Sequence, residues 1–314
     1  MKKNKALRTA VIDVGTNSIL YLLAERRGGT VLDLFQRIRT ARLGESISRS
    51  GRIGEQPLER AIRVLDEYRG LARIDRADRI LAVGTHVFRT AANREDALHR
   101  IQERTGLSVE VLSETEEALW AHRGAVHGRF LEGPVLTADI GGGSTELVLG
   151  RNGRILQSES MGIGAVTLAE QYLHHDPPVP GEMADLKAAI RKALEARLLP
   201  VATLARQLVA VGGTATTLAA LDLGLVQYDP KPVDGHILPA ASVENLLLEL
   251  ARLDADKRRR RLALDPARAD IIVAGTAILD AVTASRPFDR VLVSDRGLRF
   301  GIALRECLRE REMP

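Results

Sequence analysis

The 314-residue sequence predicts an α/β fold built from two similar domains, and three features of the chain support this prediction. Stretches with strand-like and helix-like apolar spacing alternate along the chain. Two pairs of segments repeat at a long and nearly constant offset, which indicates duplication of one α/β unit. Glycine-rich turns interrupt the apolar stretches, and two of them follow a stretch that ends in aspartate. The chain is long enough for each of two domains to bury its own core.

The first repeated pair consists of "VIDVGTNSILYLL", which begins at Val11, and "TADIGGGSTELVL", which begins at Thr137. The two segments align at three positions: Asp13 with Asp139, Gly15 with Gly141, and Ser18 with Ser144. In each, an apolar stretch ends in aspartate and resumes after a glycine turn, which predicts a β-hairpin. The second pair is "LAVGTHVFRTA" with "VAVGGTATTLA", in which Gly84 aligns with Gly212.

Apolar periodicity and turn residues predict the remaining elements in chain order. The predicted strands are Ala10–Val14, Val31–Ile38, Arg79–Val83, Val109–Leu112, Val135–Ile140, Glu146–Leu149, Leu208–Val211 and Val291–Ser294. The predicted helices are Leu58–Leu71, Arg94–Thr105, Glu114–Gly124, Met183–Arg206, Val243–Asp254, Pro266–Ser285 and Gly297–Arg311.

Composition narrows the class of protein. Aromatic residues make up 3% of the chain, which disfavours a single-stranded nucleic-acid binder with stacking platforms, so we expect no nucleic-acid partner. The net charge is +4 and Arg outnumbers Lys, which fits a polyanionic ligand. The single cysteine excludes an internal disulfide and agrees with a cytoplasmic protein. The most apolar window, Leu208–Val226, is too interrupted to span a membrane, so we expect no membrane partner.

The tri-glycine turn is the strongest chemical signal in the sequence. Gly141, Gly142 and Gly143 leave their backbone N–H groups unshielded, so the turn can direct several of them at one anion. The hydroxyls of Ser144 and Thr145 add donors. The carboxylates of Asp139 and Glu146 would repel a phosphate unless a cation lies between, and Mg²⁺ is the usual cation. A tight structural hairpin is the alternative explanation of the turn taken alone.

Three segments resemble the two phosphate segments and the third, glycine-rich segment of the actin, sugar-kinase and heat-shock-chaperone superfamily. They are "VIDVGTNS", "TADIGGGSTELV" and "AVGGTATTLA". Further segments resemble the exopolyphosphatase / guanosine pentaphosphate phosphohydrolase (Ppx/GppA) family in its short, two-domain form. They are "ARLGE", "FRTAANRED", "LSETEEALWAHRGAV", "GIGAVTLAE", "VDGH", "ARADIIVAG" and "VSDRGLRFG". Together they cover nearly the whole chain.

The resemblance implies two duplicated ribonuclease-H-like (actin-like ATPase) domains with an interdomain cleft. It implies an N-terminal domain over residues 1–130, joined by a C-terminal helix at about residues 297–314, and a C-terminal domain over residues 131–296. Glu117 corresponds to the family's general base, and Asp139 and Glu146 are expected to hold Mg²⁺, with Mn²⁺ as an alternative. The expected phosphate-binding residues are Asp13, Gly15, Thr16, Asn17, Ser18, Arg89, Gly141, Gly142, Gly143, Ser144, Thr145, Gly212, Gly213 and Thr214.

The resemblance also suggests a substrate and a mechanism. We expect an exopolyphosphatase that releases terminal orthophosphate from inorganic polyphosphate by attack of water, and a homodimer is possible. One alternative is a guanosine pentaphosphate 5′-phosphohydrolase; another is a non-catalytic protein that binds a nucleotide or an alarmone. Near the expected base, Ser113 and Glu116 have the spacing of a capping box, so Glu116 is expected only to close the start of a helix.

Overall fold

The computed structural model describes residues 7–27, 30–197, 204–286 and 288–312. The chain divides into two compact units, residues 1–124 with residues 298–314, and residues 125–297. The strands are β1 (Leu7–Val14), β2 (Ser18–Arg27), β3 (Thr30–Thr40), β4 (Arg79–Gly84), β5 (Val109–Val111), β6 (Val135–Ile140), β7 (Thr145–Arg151), β8 (Arg154–Met161), β9 (Gln207–Val211), β10 (Ile237–Pro239) and β11 (Arg290–Val293).

The helices complete the alternation of elements. They are α1 (Ile47–Ser50), α2 (Glu55–Ile74), α3 (His86–Thr90), α4 (Arg94–Thr105), α5 (Glu114–Val126), α6 (Ala165–Tyr172), α7 (Pro180–Arg197), α8 (Gly213–Asp222), α9 (Pro230–Val233), α10 (Ala240–Arg252), α11 (Ala255–Arg261), α12 (Ile272–Ser285) and α13 (Leu298–Glu312), with a 3₁₀ turn at Pro266–Arg268.

The sheets of the two units share one topology. In the first unit the strand order is β3-β2-β1-β4-β5, and in the second it is β10-β11-β9-β6-β7-β8. Each sheet has a three-stranded antiparallel meander whose first strand pairs in parallel with a later strand, β1 with β4 and β6 with β9. The second sheet differs by the short antiparallel strand β10 at its edge. The shared order confirms the predicted α/β fold class and its duplication.

Strand β1 is apolar on both faces because helices cover both sides of the first sheet. Ala10, Ile12 and Val14 face one cluster of buried side chains, and Val11 faces another. The first cluster includes one face of α2, where the Tyr68 hydroxyl donates to the Ile19 carbonyl over 3.2 Å. The second cluster includes the last helix, α13. The C-terminal helix is therefore part of the first unit's core.

Among the described residues, six helices were not predicted from the sequence: α1, α3, α6, α8, α9 and α11. Helix α8 begins Gly213-Thr-Ala-Thr-Thr, and its glycine and three threonines have low helix propensity. Its Thr217 hydroxyl donates to the Gly213 carbonyl over 2.7 Å, and its apolar residues are buried in the second unit's core. Tertiary packing therefore stabilises a helix that local propensity does not favour. In place of the predicted helix Met183–Arg206, α7 is described from Pro180 to Arg197, residues 198–203 lie outside the described part of the chain, and residues 204–206 are not helical.

Candidate active site

In the first unit, the predicted site residues lie at the edge of the sheet where the parallel strands end. Val14 pairs with Gly84, and Gly84 pairs with Val111, so β1, β4 and β5 end side by side. The chain continues from these ends into the first glycine turn, into α3 and into α5. This edge is where open α/β sheets carry their ligands.

The first turn, residues 15–18, is a hairpin closed by one backbone hydrogen bond. The Gly15 N–H donates to the Ser18 carbonyl over 3.1 Å. Among the described residues, the N–H groups of Thr16 and Asn17 have no hydrogen-bond partner. The Asn17 side chain donates to the Ser18 hydroxyl over 3.2 Å, and Thr16, Asn17 and Ser18 are all buried. Two adjacent free N–H groups in a turn form a concavity suited to an anion.

Glu117 lies in the first turn of α5 and is almost fully buried. The Arg89 guanidinium donates through Nη1 to Glu117 Oε2 over 2.6 Å and to the Leu112 carbonyl over 3.0 Å. Burial raises the pKa of the Glu117 carboxyl above its ordinary value, and the positive charge of Arg89 opposes part of that shift. The result is a buried carboxylate with a raised pKa, the state that suits a general base.

The second unit repeats the turn geometry at residues 141–144. The Gly141 N–H donates to the Ser144 carbonyl over 3.0 Å, and the N–H groups of Gly142 and Gly143 donate to no residue in the described ranges. The N–H groups of Gly15 and Gly141 therefore close their hairpins. The N–H groups at the centre of each turn remain available.

The carboxylates of Asp139 and Glu146 lie directly across from each other in the antiparallel pair of β6 and β7. Like charges in this register repel, and a divalent cation would remove the repulsion. Glu146 is buried and accepts a hydrogen bond from the Ser160 hydroxyl over 3.0 Å. The described part of the chain contains no cluster of three or more His, Cys, Asp or Glu side chains arranged to hold a metal. The pair fits Mg²⁺ only if phosphate oxygens and water supply the other ligands, which is common for this ion.

The third predicted segment lies beside these carboxylates. Gly212 follows β9 with φ of 90°, a conformation that glycine adopts readily. A Cβ at this position would lie 2.8 Å from the Ile140 carbonyl oxygen and 3.1 Å from Asp139 Oδ1. Gly213 and Thr214 then begin α8. The second unit thus brings together its glycine turn, its two carboxylates and the start of α8.

A family model described as the Ppx/GppA phosphatase family matches residues 22–310. The chain belongs to this family. It is 32% identical over 312 residues to exopolyphosphatase 2 of Mycobacterium tuberculosis, covering 95% of this chain and 98% of that protein. The crystal structure of the Aquifex aeolicus Ppx/GppA family member matches with a TM-score of 0.82 and 32% identity, over 98% of this chain and 99% of that one.

A crystal structure of an exopolyphosphatase from Cytophaga hutchinsonii shares the fold, with a TM-score of 0.89 and 24% identity over 96% of this chain and 97% of that chain. The predicted family and fold are confirmed. This Ppx/GppA protein is a phosphoanhydride hydrolase. No helix in the described ranges is long and apolar enough to cross a bilayer.

Arg268 is a residue that sequence reasoning missed. In this Ppx/GppA protein its guanidinium lies directly against Gly213, where a Cβ would overlap it. Its Nε donates to Asp265 Oδ2 over 2.5 Å, and the residue is buried. The positive charge of Arg268 therefore lies beside Gly213 at the start of α8. The signal was present in "ARADIIVAG", a segment that carries part of the family resemblance.

The basic run Lys257–Arg261 is largely occupied by contacts within the second unit. Lys257 pairs with Asp254, Arg259 with Asp256, and Arg261 with Glu249. Arg258 is buried and donates to Asp176 and to two backbone carbonyls. These contacts tie α11 to neighbouring segments of the second unit.

Proposed function

We propose that this protein is an exopolyphosphatase that removes terminal orthophosphate from inorganic polyphosphate by attack of water. The observation that carries the proposal is the environment of Arg89 and Glu117. The Nε and Nη2 atoms of Arg89 are buried, and no described residue accepts a hydrogen bond from them. Buried donors without acceptors are costly, and oxygens of a phosphate would satisfy them beside the carboxylate.

In this proposal Glu117 orients and deprotonates the attacking water. In the first unit the N–H groups of Thr16 and Asn17 and the guanidinium of Arg89 hold phosphate oxygens, and in the second unit the N–H groups of Gly142 and Gly143 do so. Asp139 and Glu146 would hold Mg²⁺, which would offset negative charge on the phosphates. Transfer of phosphate to water needs positioning and charge neutralisation more than covalent chemistry, and these residues supply both.

Polyphosphate is favoured over a guanosine substrate because of one side chain. Leu20 occupies a position opposite Asp13 on β2, where the resemblance leads us to expect a basic residue. A missing cation matters less to a chain of identical phosphates than to a nucleotide that is bound by a few specific contacts.

The test is phosphate release from medium-length polyphosphate, from guanosine pentaphosphate and from ATP, each with Mg²⁺ and with a chelator. We expect the highest kcat/KM for polyphosphate, and release only with the metal. Preference for guanosine pentaphosphate would replace the substrate in the proposal. ATP turnover that persists in Glu117→Gln, with no release from polyphosphate, would instead indicate an actin-like nucleotide switch.

A further inference from the structure

The two glycine turns are each held from behind by a second segment of the same unit. In the first unit, the Gly44 N–H donates to the Thr16 carbonyl over 2.9 Å. The N–H groups of Ala41 and Arg42 donate to the Asn17 carbonyl over 3.1 and 2.8 Å. All three donors belong to one short stretch after β3. The carbonyls of the central turn residues are therefore fixed toward the protein.

The second unit repeats this arrangement with an unrelated local sequence. The Ala165 N–H donates to the Gly141 carbonyl over 2.9 Å. The N–H groups of Val166 and Thr167 donate to the Gly142 carbonyl over 2.8 and 3.2 Å. Because a peptide group is planar and trans, a carbonyl fixed on one side leaves the N–H of the next residue on the other. The first anchor thus orients the free N–H group of Asn17, and the second orients those of Gly142 and Gly143.

Each anchor contains a glycine against which the turn packs. A Cβ on Gly44 would overlap the Thr16 methyl group, Cγ2. A Cβ on Gly164 would overlap the Gly142 carbonyl and would lie 2.6 Å from the Gly143 carbonyl carbon. Backbone atoms of a tight turn cannot move away cheaply, so Gly164 accepts no side chain without displacing its turn, whereas a side chain at Gly44 would push the Thr16 methyl group out of its position.

The Gly44 contact also sets the direction of the Thr16 hydroxyl. Threonine carries two heavy atoms on Cβ, so fixing the methyl in one staggered position restricts the hydroxyl as well. Thr16 is 4% exposed, and its hydroxyl donates to no described residue. A hydroxyl in a fixed direction, on a buried residue and with no hydrogen-bond partner among the described residues, is suited to a ligand oxygen.

We propose that Gly44 and Gly164 are positioning residues of the phosphate site. Each gives its turn the space to seat, and Gly44 in addition directs the Thr16 hydroxyl at a phosphate oxygen. The proposal rests on the proposed polyphosphatase function for the identity of the ligand, a phosphate chain. Neither glycine contacts the ligand itself.

A double-mutant cycle on Gly44 and Thr16 tests the proposal. Gly44→Ala is expected to lower kcat/KM for polyphosphate by roughly 10- to 100-fold, because small displacements of a positioning group have effects of this size. Thr16→Ser removes the methyl and keeps the hydroxyl, and is expected to lower kcat/KM because the hydroxyl then rotates. When Thr16→Ser is already present, adding Gly44→Ala should lower kcat/KM by less than about threefold further, because the methyl group that the new Cβ would overlap is gone.

Matched glycines supply the controls. A Cβ added to Gly70 in α2, or to Gly162 two residues before Gly164, would meet no atom within 4 Å. Gly70→Ala and Gly162→Ala should leave kcat/KM unchanged, whereas Gly164→Ala should reduce it like Gly44→Ala. Thermal unfolding of each variant identifies any that fail to fold. If Gly44→Ala or Gly164→Ala fails to fold, Thr16→Val tests the role of the Thr16 hydroxyl in its place. It keeps the branched shape and removes the hydroxyl, so it should fold and raise KM.

The proposal is overturned if Gly44→Ala lowers kcat/KM equally with and without Thr16→Ser. Wild-type activity in Gly44→Ala would also overturn it, and so would an unchanged KM in Thr16→Val. A wild-type protein that releases no phosphate would instead contradict the proposed function. In that case calorimetric binding of tripolyphosphate is measured across the same variants, and the same order of affinities is expected. Uniform affinity, or no binding by any of them, would overturn the positioning role.

Discussion

The Arg89 guanidinium and the Glu117 carboxylate form a buried ion pair, with Nη1 and Oε2 separated by 2.6 Å. Arg89 is at the C-terminal end of the short helix after β4, and Glu117 is in the first turn of the helix after β5. Neighbouring parallel strands therefore bring together two residues that are 28 positions apart in the chain. Burial raises the pKa of the carboxyl, and its arginine partner lowers it.

Replacing Glu117 by Gln is expected to lower kcat for phosphate release by about 10²- to 10⁴-fold, the usual contribution of a general base. The side chain keeps its size, so Arg89 retains a hydrogen-bond acceptor and the protein should fold. Phosphate release at saturating polyphosphate measures the effect.

Glu116→Gln is the matched control for this substitution. The Glu116 carboxylate accepts from the Ser113 N–H over 2.9 Å and so completes the predicted capping box. Glutamine preserves that role, so kcat should be unchanged. An equal loss in both variants would show that the helix start matters and that Glu117 is not the base.

The pH dependence of kcat/KM has a predicted direction. A general base must be deprotonated, so activity should fall as the pH is lowered. Because burial raises the pKa of Glu117, the midpoint of this fall should lie above the ordinary glutamate pKa of about 4.3. Arg89→Gln removes the charge that lowers this pKa, so the acidic limb should move to higher pH as activity falls. The exposed Arg94→Gln should not move it. If the acidic limb of Arg89→Gln stays at the wild-type pH, Arg89 does not influence the pKa of the general base.

We expect the Mg²⁺ requirement of phosphate release to depend on the paired carboxylates of Asp139 on β6 and Glu146 on β7. Asp139→Asn and Glu146→Gln should each raise the Mg²⁺ concentration needed for half-maximal phosphate release. Ser160→Ala removes the hydrogen bond that orients Glu146, and such outer contacts are worth about 10- to 100-fold in metal affinity. Ser158→Ala, on the same face of β8, should leave the metal requirement unchanged. Identical Mg²⁺ titrations for all four variants would place the metal elsewhere.

Gly213 and Arg268 are expected to act as one unit in substrate binding. Gly213→Ala forces the guanidinium from its position, and Arg268→Gln removes its charge. Each should raise KM by roughly tenfold, the lower end for loss of a hydrogen bond to a charged group. The double variant should be no worse than either single variant, because the contact is already lost. Additive losses would mean that the two residues act separately. Gly181→Ala, at the start of α7, meets open space and is the control.

Arg258 is expected to contribute to stability and not to activity. Its guanidinium donates to the Ala269 carbonyl over 2.8 Å, to the Leu253 carbonyl over 2.5 Å and to Asp176 over 2.6 Å. Arg258→Met leaves these acceptors unsatisfied and should lower the free energy of unfolding by about 2–4 kcal/mol. The exposed Arg259→Ala should change it by less than about 0.5 kcal/mol. Urea denaturation measures both, and a change in kcat for Arg258→Met would contradict the assignment.

Much of the fold was accessible from sequence because its signals are local. The helix Arg94–Thr105 was predicted with both ends in place, since charged residues begin it and Gly106 in a left-handed conformation ends it. The capping box at Ser113 depends on a spacing of three residues and was also predictable. Helix α8 was missed because its threonines and glycine disfavour a helix, and buried contacts with the rest of the unit outweigh that preference.

The candidate site likewise has some features that the local sequence predicts and others that it does not. The two hairpins, with aspartate before each glycine turn, follow from short segments of chain whose hydrogen bonds join residues three positions apart. The packing of Arg268 on Gly213, and of Gly44 on the Thr16 methyl, joins segments that are distant along the chain. Such contacts depend on how strands and helices pack, and pattern alone does not specify which distant side chain fills a given space. For the same reason, the anchors behind the turns were decided by the tertiary structure and not by composition or spacing.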